Sequence, residues 1–217
     1  MNSGVAVQYI FYYLQPWIPR INHKTTPVMK TRSASLLLAL LILASGNALS
    51  QTSGNPVTDL LLSAWSPRNY TTLPVTDQQI DMILQCGIKA PSSRNGQPWH
   101  FTVLKNEAVM KEIIPNITPG NVIIVISGKL SQAGTTPDFD CGLTTQNMFV
   151  AATSMGLGAR IYGGPIAAAR EKREALQIPE GFTPVIMLRV GNFEKGTDAV
   201  SGASPRKAKE EVVNWVK

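Results

Sequence analysis

The fold of this chain is decided by the stretch Ala90–Phe101, which reads APSSRNGQPWHF. It separates an amphipathic helical run from a run of β-branched and aromatic residues. Pro91 ends the helix, because a proline disfavours the α conformation of the residue before it, and Pro98 fixes the entry to a strand. Between the prolines lie Ser92, Ser93, Asn95 and Gln97. Their hydroxyl and amide groups suit a heteroaromatic ligand with donors and acceptors, although the same residues also cap and turn ordinary loops.

Apolar periodicity predicts the elements on either side of this loop. The spacing of Ile80, Ile83 and Ile88 indicates a helix with Thr76 as its N-cap. Residues 99–104 alternate as a strand, and residues 122–127 are apolar on both faces, which is typical of a buried central strand. A further strand is predicted over 184–191 and a turn over 161–165. Asp140 is predicted to cap a long helix over 140–155. The other predicted helices are 57–64, 106–114, 166–177 and 206–217. Strands and helices mix without regular βαβ alternation, so the pattern favours the α+β class.

The N-terminal fifty residues do not resemble part of a folded domain. Met29 is followed by two basic residues, an apolar run over 36–44 and small residues before Gln51, which is the order of a secretory signal peptide. The apolar run is roughly half of the ~20 residues that span a bilayer, so a permanent anchor is the less favoured alternative. We therefore divide the chain into an upstream extension or disordered tail (1–28), a signal peptide (29–50) and a single domain (51–217), and expect a periplasmic or secreted protein with no stable membrane span.

The net charge gives no reason to expect a nucleic-acid partner. The chain has 20 basic and 14 acidic residues, and four of the basic residues but none of the acidic ones precede Ser50. Without that segment 16 basic residues remain against 14 acidic ones, a net charge of +2. The basic character of the chain therefore belongs mostly to the predicted leader.

The sequence offers few cysteine and histidine residues that could act as nucleophiles, form a disulfide or bind a metal. Cys86 falls on the apolar side of the predicted helix, where a free cysteine behaves as a small hydrophobic residue, so a disulfide with Cys141 is the less favoured alternative. A nucleophilic role for Cys86 lacks a charged partner that would lower the thiol pKa. The two histidines, one of them upstream of the leader, exclude a His-rich metal cluster.

The pattern Ala-Pro-Ser-Ser-x-Asn-x-Gln-Pro-Trp-x-Phe in residues 90–101 resembles the signature of the nitroreductase family of FMN-dependent oxidoreductases. The resemblance extends over roughly residues 57–217. It implies a nitroreductase-like fold, with a central, mostly antiparallel sheet flanked by helices. It also implies a homodimer with two flavins at the subunit interface, each contacted by both chains.

The resemblance assigns a phosphate site to Ser66, Arg68 and Arg206. Ser66 and Arg68 resemble the family's Ser-x-Arg motif, and Arg206 resembles its C-terminal phosphate-binding arginine; taken alone, residues 66–70 could equally form an ordinary solvated turn. The chain departs from the family pattern at Ala64 and Ser204, where members commonly carry Arg and Lys. Two expected cations are therefore absent from the phosphate site.

The resemblance assigns the flavin ring and ribityl chain to the loop between the two prolines. The positions carried over are Pro91, Ser92, Ser93, Asn95 and Gln97. The segment Tyr162-Gly163-Gly164 resembles the one whose backbone N–H faces flavin N5, because glycine lets main chain approach a flat ring. Without the resemblance this segment would be interpreted as a plain turn between helices.

These features predict an FMN-dependent oxidoreductase that passes hydride from NAD(P)H through flavin N5 to an electron-poor small molecule, such as a nitroaromatic or quinone. The scheme requires no catalytic side chain and no metal, because the cofactor carries the chemistry. The predicted partners are therefore NAD(P)H, the acceptor and a second copy of the chain. The alternative is an exported flavin-binding protein of the same fold, with another donor or with no turnover.

Overall fold

The computed structural model describes residues 53–129, 136–196 and 205–217. The predicted upstream extension and signal peptide lie outside these residues, as does most of the Gly/Ser linker before Arg206. Within the described residues, no helix has both the length and the apolar character needed to cross a membrane. The helices are α1 (Pro56–Ser63), α2 (Asp77–Ile88), α3 (Glu107–Lys111), α4 (Pro137–Ser154), α5 (Ile166–Glu171) and α6 (Lys209–Val212), and the strands are β1 (Trp99–Leu104), β2 (Val122–Gly128), β3 (Gly158–Tyr162) and β4 (Thr183–Gly191).

The four strands form one antiparallel sheet in the order β1-β2-β4-β3. Every residue of β2 is buried, and the strand lies between β1 and β4 as the apolar run predicts. A register shift interrupts the β2–β4 pairing between Ile126 and Ser127. The predicted α+β class with a mostly antiparallel sheet is confirmed.

Each face of the sheet has its own apolar core because successive strand residues point to opposite sides. Ile124 and Leu188 face α2 and α4, where they pack with Ile83 and Met148. The other face, which includes Ile123, packs against residues from α3 and from the turns after α5, including Met110, Ile114, Leu176 and Ile178. The sheet is therefore a rigid central layer whose strand ends and edges are available for a site.

Helices α2 and α4 pack closely at Gly87. A Cβ at this position would lie 2.5 Å from the Met148 Cε, so only glycine fits without displacement of that side chain. The Thr144 hydroxyl donates a hydrogen bond of 2.7 Å to the Gly87 carbonyl and fixes the register of the two helices. The predicted N-cap at Thr76 is confirmed: Thr76 and Gln79 form a capping box.

Several predicted elements begin or end at other residues in the structure. The helix predicted over 106–114 ends at Lys111. Helix α4 begins at Pro137, a residue whose fixed φ suits the first turn, and Asp140 lies inside that turn. The predicted turn over 161–165 begins inside a strand, since Ile161 and Tyr162 belong to β3. Helix α5 ends at Glu171, and the chain continues in turns that bury Leu176 against the sheet.

The predicted C-terminal helix over 206–217 is reduced to the four residues of α6. Its expected anchors Val212, Val213 and Trp215 are exposed by 62%, 38% and 71%. A short helix without a packed apolar face gains little stability beyond its own hydrogen bonds. The expected anchors therefore do not dock against the described residues of this chain.

Candidate functional site

A polar cavity of about 440 Å³ lies beside the edge strand β3, and we call it the arginine cavity. It contains three arginines, and none of the described residues that line it is acidic. Guanidinium groups and a hydroxyl are the donors that phosphate oxygens prefer. The lining residues are Leu61, Ala64, Trp65, Ser66, Arg68, Gln146, Phe149, Arg160, Ile161 and Arg206.

The segment that carries Ser66 and Arg68 is held against the ends of β3 and β4. Pro67 is buried beside Gly158, where an added Cβ would lie 2.4 Å from the Pro67 Cγ. The Trp65 ring meets the Phe193 ring edge-on, with 5.5 Å between centroids. These contacts fix the backbone on both sides of Ser66, while Arg68 and Asn69 remain exposed.

Residues 91–97 form a loop that we call the amide loop, and its backbone is strained. Arg94, Asn95 and Gln97 have φ angles of 53°, 55° and 44°, in the left-handed region that non-glycine residues avoid. The Ser92 Oγ accepts a hydrogen bond of 3.0 Å from the Gln97 N–H, and the Gln97 Nε2 donates to the Asn95 Oδ1 at 3.2 Å. Such strain persists only where surrounding contacts over-determine it, and it clusters at functional sites.

Asp140 anchors the amide loop to α4. Its Oδ1 accepts a hydrogen bond of 3.0 Å from the Ser93 N–H, and the side chain is only 1% exposed. The Oδ2 is buried and has no hydrogen-bond partner among the described residues. The sequence predicts this residue as a helix cap, but the structure uses it to hold the loop.

The main chain at Gly163 and Gly164 is open to approach. No atom lies within 4 Å of the position that a Cβ would take at either glycine. The preceding residue, Tyr162, ends β3, and its ring contacts the Arg160 guanidinium with 5.1 Å between Cζ and the ring centroid. A planar ligand could therefore reach this backbone.

The single chain brings together only part of the predicted site. Ser66, Arg68 and Arg206 line the arginine cavity, although about 140 residues separate Arg68 from Arg206 in the sequence. Neither the amide loop nor residues 162–164 line that cavity. Gln97 lines a separate cavity of about 470 Å³ with Leu84, Ile88, Trp99, His100 and Phe101.

Sequence reasoning missed Arg160 and the anchoring role of Asp140. Arg160 lies in a strand that the sequence analysis did not predict, because β3 is short and lies between Gly156-Leu157-Gly158 and Gly163-Gly164, which indicate turns. A charged residue between Ala159 and Ile161 is the signal that could have identified it. No local pattern identifies the contact of Asp140 with Ser93, since it joins residues 47 positions apart.

Neither Cys86 nor Cys141 lines the arginine cavity. Both are free thiols, as the sequence favours. Burial, with the nearby charges of Asp138 and Asp140, raises the pKa of the Cys141 thiol from 9.0 to about 12. That thiol stays protonated at neutral pH and is not a nucleophile.

Comparison with known proteins identifies the family of this chain. The model of the nitroreductase family matches residues 61–122 and 115–192. A protein of Archaeoglobus fulgidus, provisionally named NADH dehydrogenase/NAD(P)H nitroreductase, is 30% identical over 137 residues, which cover 58% of this chain and 79% of that protein. The NADPH-flavin oxidoreductase of Vibrio harveyi is 27% identical over 166 residues, covering 66% and 68% of the two chains.

A solved structure with a similar fold is also named as a nitroreductase. The crystal structure of a provisionally named nitroreductase from Desulfovibrio desulfuricans, solved in complex with FMN, superposes with a TM-score of 0.64. The two chains are 26% identical, and the superposition covers 75% of this chain and 98% of that one. The family match extends over more than half of the 217 residues and includes all four strands of the sheet, together with Ser66, Arg68 and Arg160 of the arginine cavity. The chain therefore belongs to the nitroreductase family.

Proposed function

We propose that this chain is an FMN-dependent oxidoreductase that takes reducing equivalents from NAD(P)H and passes them to an electron-poor small molecule. The arginine cavity carries the proposal, because Ser66, Arg68 and Arg206 converge there without an acidic residue in the described lining. Relatives named for NADPH-flavin oxidoreduction and for bound FMN support it.

The residues present fit FMN at both ends of the molecule. Its phosphate dianion needs cations and hydroxyl donors, which the arginine cavity supplies. Its ring edge needs donors and acceptors at fixed positions, and the amide loop holds Asn95 and Gln97 in one strained conformation. Gly163 and Gly164 leave main chain accessible to a flat ring.

When bound, FMN supplies hydride transfer through its N5. The protein contributes binding, orientation and electrostatics. The guanidinium groups of Arg68 and Arg206 would hold the phosphate and fix the cofactor along its length, while the amide loop would fix the rotation of the ring. The buried Asp140 keeps that loop in place, so it acts as a positioning residue for the ring site.

We propose a homodimer in which the amide loop of a second copy completes the site. Two observations support it: the loop does not line the arginine cavity of its own chain, and an apolar groove of about 750 Å³ is exposed between α1, α2 and α4. Leu61, Met82 and Ile88 line the groove and are exposed by 49%, 46% and 52%. Exposed apolar surface of this kind marks an interface.

The experiment is a titration of purified protein followed by its flavin absorbance under anaerobic conditions. A yellow protein that NADPH or NADH bleaches and a nitroaromatic or quinone recolours supports the enzyme. A yellow protein inert to both donors would leave flavin binding without the proposed turnover, and a colourless protein that does not take up FMN would contradict the proposal. Analytical ultracentrifugation should give twice the mass of the purified chain, which is 23.5 kDa if all 217 residues are retained and less if the predicted leader is removed.

Export is a separate proposal that the order of basic, apolar and small residues from Met29 supports. It predicts that protein recovered from the source cells begins near Gln51. Mass spectrometry of its N-terminus measures this directly, and a mature chain that retains Met29 would contradict export.

A further inference from the structure

Arg160 lies in the middle of the edge strand β3 and lines the arginine cavity together with Ser66, Arg68 and Arg206. The residue is half-buried. Its guanidinium Cζ is 5.1 Å from the centroid of the Tyr162 ring, a cation–π contact that limits its freedom without using its hydrogen-bond donors. Those donors are therefore not committed to the aromatic contact.

The position of Arg160 in the sheet is electrostatically unfavourable. Arg160 is the direct cross-strand partner of Arg189 on β4, and like charges at such positions destabilise a sheet. Arg189 is accommodated: it is 2% exposed, its Nε donates to the Asn121 Oδ1 at 2.8 Å, and its Nη2 donates to the Thr118 Oγ1 at 3.0 Å. Thus Arg189 has a structural role that its neighbour does not share.

Arg160 has no comparable set of partners in the part of the chain that the structure describes. None of the salt bridges found there includes it, nor does any of the side-chain hydrogen bonds. Arg160 instead lines, together with Arg68 and Arg206, a cavity whose described lining contains no carboxylate. Three like charges in one cavity favour a multiply charged anion.

We propose that Arg160 is a third phosphate-binding arginine of this cavity and offsets the two cations that Ala64 and Ser204 omit. The inference rests on the proposed FMN function and names a binding residue of that same site. Ala64 itself lines the cavity with a methyl group. The phosphate would therefore be bound from the β3 side, by a residue of the sheet.

The test measures the affinity of the flavin-free protein for FMN and for riboflavin, which lacks the phosphate, by isothermal titration calorimetry. Arg160→Ala should weaken FMN binding about tenfold, the size expected for one charge-assisted hydrogen bond, and leave riboflavin binding unchanged. Arg160→Lys should fall between wild type and Arg160→Ala, because it keeps the charge and loses the planar fork. Arg173→Ala, an arginine outside the cavity lining, is the matched control and should bind like wild type.

Thermal unfolding of each flavin-free variant separates a local effect from a folding defect, and Arg160→Gln is the second variant if Arg160→Ala unfolds. Equal FMN affinity in wild type and Arg160→Ala would overturn this inference and leave the proposed function standing. Parallel losses of FMN and riboflavin affinity would also overturn it, since the residue would then act on the ring or on folding. Wild-type protein that binds neither flavin would overturn the proposed function together with the inference.

Discussion

The arginine cavity and the amide loop are proposed to hold one flavin, and they are built in different ways. The cavity gathers residues from segments far apart in sequence, around Ser66, Arg160 and Arg206, and none of its described lining residues has a positive φ angle. The amide loop is one short stretch in which three non-glycine residues adopt positive φ angles. One region provides charge through tertiary convergence, and the other provides hydrogen-bond geometry through local strain.

This difference implies that the two regions fail in different ways. Loss of a cation from the cavity removes an attraction to phosphate and leaves the fold intact. Loss of the contact that restrains the loop releases strain and changes the shape of the ring site. Comparison of FMN with riboflavin separates the two effects, because only the cavity is proposed to contact the phosphate.

The largest effect is expected for the double variant Arg68→Ala/Arg206→Ala. It removes two charge-assisted contacts, each worth about 1.5–3 kcal/mol, so FMN affinity should fall at least ~100-fold. Riboflavin affinity should stay within about threefold of wild type, as measured by calorimetry. Ser66→Ala serves as a milder variant of the same cavity. An equal loss for both flavins would show that the cavity does not bind the phosphate.

The next largest effect concerns the anchor of the amide loop. Asp140→Ala leaves the Ser93 N–H without its partner, which should lower the free energy of unfolding by about 1–3 kcal/mol in a urea titration. It should also weaken FMN and riboflavin binding by the same factor, because the loop is proposed to contact the ring that both flavins share.

Two control variants sharpen this test. Asp140→Asn keeps an acceptor for the Ser93 N–H and should lose much less stability. Asp138→Ala, an exposed residue in the same helical turn, should match wild type. A variant Asp140→Ala that binds riboflavin normally would show that the loop does not depend on this contact.

The two regions also differ in how far the sequence predicts them. The amide loop, its flanking prolines and the elements beside it follow from local signals, so strands β1 and β2 and the cap at Thr76 match their predictions. The arginine cavity combines Ser66, Arg68 and Arg206, which the resemblance identifies, with Arg160, which it does not. Arg160 depends on strand β3, a five-residue edge element whose glycine-rich flanks give a turn signal.

The sequence analysis also does not predict contacts between residues that lie far apart in the chain. The sequence suggests that Asp140 caps α4, and only the folded chain shows that this residue of the first turn contacts a loop 47 positions away. In the C-terminal helix, by contrast, the sequence predicts contacts that the structure does not have among its described residues. Apolar residues at 212, 213 and 215 suggest anchors, yet they are exposed because none of the residues that the structure describes covers them.

A smaller effect is expected where strain is relieved in the amide loop. Arg94 is exposed and has φ 53° and ψ 25°, a conformation that costs a non-glycine residue roughly 1–2 kcal/mol. Arg94→Gly removes that cost but adds about 0.5–1 kcal/mol of unfolded-state entropy, so a net gain of up to ~1 kcal/mol is expected in urea titrations. Lys89→Gly, at a residue with φ −80°, is the control and should destabilise the protein. A loss of stability in Arg94→Gly would contradict the assignment of strain to this residue.

The smallest effect is expected for Cys141. This residue directly follows Asp140, so its reactivity can show whether Asp140 still holds the amide loop. Since its pKa is raised from 9.0 to about 12 in the folded protein, the neutral thiol stabilises the fold below pH 9, and this contribution is lost as the pH rises from 9 towards 12. Stability measured by urea titration should therefore fall above pH 9 in wild type and fall less in Cys141→Ala.

At pH 8, iodoacetamide should label the half-buried Cys86 and leave Cys141 unmodified. If Asp140 restrains the loop as proposed, Asp140→Ala should make Cys141 labelling measurable while Arg160→Ala should not, because the cavity variant leaves the packing around α4 unchanged.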